Sequence, residues 1–72
     1  MNIQANTKIA YTSGLGRVEA NVESIVLAPA ADGRTQVWMN LTYIHPRHKI
    51  QCKSRICADH ASLKMFKVEV LG

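Results

Sequence analysis

The side chains best placed to do chemistry are cations. Lys49, Lys53 and Arg55 share one parity within the stretch Lys49 to Ala58, Arg47 and His48 stand just ahead of them, and Lys67 follows on what reads as a neighbouring strand. Alternate residues of an extended chain point to one face, so these groups would form a row able to neutralise successive phosphates. Trp38 or Tyr43 would add a surface on which an unpaired base could stack. A solvated outer face, with lysines guarding a sheet edge against aggregation, explains the same row. The absence of an aromatic between Lys49 and Arg55 favours this plainer explanation.

Charge placement leans towards a polyanionic partner. The net charge of +4 sits entirely in the second half, because Lys8, Arg17 and Arg34 are cancelled by Glu19, Glu23 and Asp32. Arg47, Lys49, Lys53, Arg55, Lys64 and Lys67 face only Asp59 and Glu69, an asymmetry that points to nucleic acid or another polyanion.

Other constellations carry less. His45, His48, Cys52, Cys57 and His60 are metal-ligating types close in sequence, but zinc sites present their cysteines as closely spaced pairs. Cys52 and Cys57 have opposite parity, so no metal or other cofactor is expected. Five residues of strand span roughly 16 Å, against about 4.4–6.8 Å between the α-carbons of a disulfide. Both thiols are therefore expected free, as in a reducing compartment. Asp59, His60 and Ser62 are acid–base types too close in sequence to form a relay, and so small a domain has little volume for a dry pocket. The chain reads as a non-enzyme. Ser13-Gly14-Leu15-Gly16 lacks the third glycine, the helix and the lysine of phosphate-binding loops and reads as a turn. Trp38 is either core or an interface anchor, grouped by parity with Ile25, Leu27 and Ile44.

These residues must be positioned by a single small domain, since 72 residues lie near the lower limit for independent folding. No stretch approaches the ~18 apolar residues of a membrane span, and Met1 to Asn6 lacks a signal pattern. A cytoplasmic protein without a membrane partner is expected.

The central element is Arg34 to Ile44, with Val37, Met39, Leu41 and Tyr43 on one face and Gln36, Trp38, Asn40 and Thr42 on the other. Such alternation predicts a strand. An edge strand is predicted over Asn2 to Thr12, broken near Asn6, and a long strand over Arg17 to Ala28 ended by Pro29. A two-residue Asp32-Gly33 hairpin turn would set Val26 opposite Met39, Ser24 opposite Leu41 and Val22 opposite Tyr43. The reverse face would pair Leu27 with Trp38, Ile25 with Asn40 and Glu23 with Thr42. Lys49 to Ala58 alternates most cleanly, with Ile50, Cys52, Ser54, Ile56 and Ala58 inward. Asp59 to Ser62 reads as one helical turn and Lys64 to Leu71 as the last strand.

Together these predict an all-β fold: a small antiparallel five-stranded barrel or curled meander, with one helical turn before the last strand. The ordering resembles the Src-homology-type barrels in topology, without any sequence motif of that family. An oligonucleotide-binding-type barrel fits less well, because His45 to His48 is too short for the helix usual between its third and fourth strands. The leading functional expectation is non-catalytic nucleic-acid binding through Arg47, Lys49, Lys53, Arg55 and Lys67. Two others stand beside it. One is a module or stoichiometric inhibitor that docks on a larger protein, such as a phage or mobile element might encode. The other is a subunit of a symmetric homo-oligomer, a homodimer for instance, with its seam at Trp38.

Overall fold

The structure, a computed structural model, describes residues 3–71. Five strands and one helix follow in the order β1 (Lys8–Ser13), β2 (Gly16–Pro29), β3 (Thr35–Ile44), β4 (Gln51–Cys57), α1 (His60–Met65) and β5 (Glu69–Val70). All pairings are antiparallel and form one sheet in the order β4-β3-β2-β1-β5. The expected five-stranded meander, with a helix ahead of its last strand, is thus what the chain forms. Closure into a barrel is not: β4 and β5 occupy opposite edges of an open sheet. No described helix is long and apolar enough to cross a membrane.

The alternation that predicts the strands also builds the core. Ile9, Tyr11, Val18, Ala20, Val22, Met39, Leu41 and Ile56 project from one face of β1 to β4 and are buried, joined by Val68. Rows run across the sheet, as Ile9–Ala20–Tyr43–Cys52 and Val22–Leu41–Ser54. Leu63 of α1 and Phe66 pack against this cluster, which supplies the second layer that a one-faced sheet needs. Each fully buried large side chain contributes about 1.5–3 kcal/mol, so Ile9, Val22, Met39 and Leu41 anchor the fold.

The β2–β3 register departs from expectation by one residue near the turn and by two beyond Glu23. Val22 faces Leu41, the ladder slips at Glu23, and Ile25 faces Met39, Val26 faces Trp38 and Leu27 faces Val37. Two local causes act together. The connection is a three-residue loop in which the Gly33 N–H donates to the Ala30 carbonyl, the Ala30 N–H donates to the Arg34 carbonyl, and Gly33 takes φ 84°, the left-handed position such loops require. Glu23 is then the extra residue of a β-bulge, and a bulge reverses which face each later side chain occupies. Ile25 and Leu27 consequently lie on the core face and Val26 on the outer one.

Other boundaries move for similar reasons. β1 starts only at Lys8, because Asn6 adopts φ 71° in a turn; Asn2 lies outside the described residues. Ile50 belongs to the β3–β4 hairpin and is 58% exposed, whereas Ile56 is buried. The last strand shrinks to Glu69–Val70 because the helix extends through Met65.

Candidate nucleic-acid interface

Opposite the core, the sheet's outer face carries Lys53 and Arg55 side by side on β4, both exposed. The Arg55 Nε–H donates to Asn40 Oδ1 at 3.0 Å, and Asn40 Nδ2–H donates to Ser24 Oγ at 3.0 Å. This chain spans three strands along the row Ser24–Asn40–Arg55. It pins the guanidinium while using only one of its five N–H donors. Trp38, half-buried, faces Val26 on one side and Cys57 on the other. Arg55 is thus its diagonal neighbour, at about 7–8 Å between α-carbons.

Lys53 closes a second row, Lys8–Asn21–Thr42–Lys53, which the registers of three strand pairs bring into line. Beside it lies a shallow depression of about 340 Å³ lined by Lys8, Glu19, Asn21, Thr42, Ile44 and Gln51 among others. Lys8 is absent from the expected contacts because only the pairing of β1 with β2 carries it onto this face. Its parity in the first strand was readable; which face that parity would occupy was not.

The expected site residues therefore divide. Lys53 and Arg55 share the outer face as read. Arg47 sits in the β3–β4 connection as read, but Lys49 belongs to that connection too rather than to β4, and has φ 58°. His45 organises that loop: its Nδ1 accepts from the N–H groups of Arg47 and His48, each at 3.1 Å, and its carbonyl accepts from the Lys49 N–H at 2.9 Å. Lys67 is not on a strand beside β4. It occupies the turn between α1 and β5, and β5 pairs with β1 at the far edge of the sheet.

The interface set divides too. Trp38 and Ile44 share the outer face, but the bulge sends Ile25 and Leu27 to the other, so Val26 is the apolar neighbour of Trp38. Tyr43 is a core-face residue opposite Ala20 and Cys52. It cannot add a stacking surface to the outer face.

Two cations are spent on acids. Arg17 Nη2 lies 2.9 Å from Glu69 Oε2, and Arg34 Nε lies 3.5 Å from Asp32 Oδ2. The hydrogen bond and charge of Arg17 hold the Glu69 carboxyl below its ordinary range. Asp59 caps α1 by accepting from the Ser62 N–H at 3.0 Å, and the hydrogen bonds from Ser62 hold its carboxyl below the ordinary range. Among the described residues, Lys8, Arg47, Lys49, Lys53, Arg55, Lys64 and Lys67 have no acidic partner within 4.0 Å.

The cysteines are free, Cys52 on the core face and Cys57 on the outer one. No three His, Cys, Asp or Glu side chains converge as a metal site among the described residues. No protein-family model, curated protein or solved structure matches this chain.

Proposed function

We propose that this chain is a small, non-catalytic nucleic-acid-binding protein of the cytoplasm. Its contact surface is the outer face of β3 and β4 with Lys8 at the margin. One observation carries this: a guanidinium anchored through Asn40 and Ser24, next to the chain's sole tryptophan and on the same face as two unpaired lysines. Phosphate oxygens would meet Lys8, Lys53 and the free donors of Arg55, while the exposed edge of Trp38 would stack on an unpaired base. Arg47 and Lys49, held out on the hairpin, would extend the path along a strand. The free thiols suit a reducing compartment.

Because Trp38 is the only tryptophan, its fluorescence reports the contact directly. Titration with a single-stranded oligonucleotide at low salt should quench it. Replacing Lys8, Lys53 and Arg55 together by glutamate should abolish both the quenching and retention on a polyanion column. Equal binding by the triple variant, with circular dichroism showing the fold intact, would remove the proposal.

A further inference from the structure

Among the described residues the open sheet has three unpaired edges, and two are guarded. β5 is only two residues long, and the edge strand β4 carries the charged Lys53 and Arg55 on its outer face, devices that discourage strand addition. The third edge is the distal half of β2. β1 pairs with β2 only as far as Asn21, and the Val22 N–H and carbonyl are taken by Thr7 and Asn6. Beyond this point no described residue pairs with β2 on that side. The stretch from Ser24 to Ala31 contains no charge, and Leu27 is 68% exposed.

The ladder's phase shows which backbone groups are free. The Ala30 N–H donates to the Arg34 carbonyl, and antiparallel pairing alternates. Ala28, Val26 and Ser24 therefore bond to β3, while Ile25 and Leu27 direct their N–H and C=O groups to the open side. Pro29 shares their orientation and has no N–H to lose.

We infer that this edge is a pairing surface for a second copy of the chain, with β2 antiparallel to β2 about a two-fold axis at Val26. In that register Ile25 of each copy faces Leu27 of the other. Both free N–H groups of each copy then find a carbonyl. Shifting the axis to Leu27 would set Pro29 against Ile25, where the Ile25 carbonyl meets no N–H because proline has none, so the Val26 register is the one that pairs both backbone groups of Ile25 and of Leu27. Ile25 and Leu27 meet their counterparts on the core face, and the two Val26 side chains meet on the outer face beside Trp38. A chain of net charge +4 repels its own copy at most surfaces; an uncharged edge is where two copies approach without that penalty. The contact is isologous, so it closes at the dimer, and it does not depend on whether the outer face binds nucleic acid.

Sedimentation velocity of the full chain across a concentration series, with residue-resolved amide exchange on the same samples, tests this. The expected result is a reversible dimer in which the Ile25 and Leu27 amides become protected as concentration rises, while the Val26 and Ala28 amides are protected throughout. Val26→Lys, at a 37% exposed position, faces its own charge across the axis. It should weaken the dimer at least about tenfold. Leu27→Pro removes a donor used only between copies and should do the same. A monomer at every concentration would overturn the inference. So would a dimer in which both amides exchange freely, or one unaffected by either variant, as a seam at Trp38 or a different protein partner would predict.

Discussion

At the scale of single residues, burial and partnership decide what each polar group does. Tyr11 is 3% exposed in the core. Burial pushes its phenol above the ordinary value of 10.0; the polar Ser54 hydroxyl opposes that shift, and the neighbouring Tyr43 adds to it. The sign follows from which form is neutral. A raised phenol favours the protonated, folded state, so its contribution is complete below pH 10 and declines as pH rises through the folded value. Tyr11→Phe should therefore flatten the alkaline limb of the stability profile measured by urea unfolding between pH 8 and about 11. An alkaline limb of unchanged steepness in the variant would assign that decline to other groups.

At the scale of elements, the helix end shows why some boundaries escape the sequence. The Lys67 N–H donates to the Lys64 carbonyl and the Val68 N–H to the Leu63 carbonyl, with Lys67 at φ 51°. This is a Schellman closure, in which glycine is the usual left-handed residue. Lysine there hides the stop, and Lys64 to Leu71 alternates well enough to read as strand. Lys67→Gly should relieve the strain and stabilise the fold by roughly 0.5–1 kcal/mol, seen as a higher midpoint in thermal or urea unfolding. Since Lys67 lies off the outer face, binding of a polyanion should be unaffected. The five strands themselves were legible, because period-two alternation records a buried face. The bulge was not: Glu23 differs in no way from a paired residue, and Asp32-Gly33 suits a three-residue loop as well as a two-residue one. One misplaced residue reverses faces, which is why Ile25 and Leu27 seemed partners of Trp38 and Val26 did not. Lys53 and Arg55, lying beyond any irregularity of β4, kept the face their parity gave them.

At the scale of the whole molecule, edge and face combine. A two-fold axis through paired β2 strands stands perpendicular to the sheet, so both copies would turn Lys8, Lys53 and Arg55 to the same side. Two contact surfaces linked in one rigid sheet bind a long strand with the advantage of the second contact being intramolecular. Each phosphate neutralised on single-stranded nucleic acid contributes about −0.7 to the slope of log K against log salt. On an oligonucleotide just long enough to cover one contact surface, Lys8, Lys53, Arg55, Arg47 and Lys49 predict a slope of about −3.5, and two copies predict about −7 on one long enough to reach both. Leu27→Pro should return the long oligonucleotide to about −3.5 while leaving the shorter one unchanged. The variant adds no charge, so a fall confined to the long strand isolates the pairing from the contact surface. A slope independent of oligonucleotide length in the wild-type chain would mean that binding, where it occurs, engages a single copy. Fluorescence titrations of Trp38 at stepped salt concentrations measure both slopes.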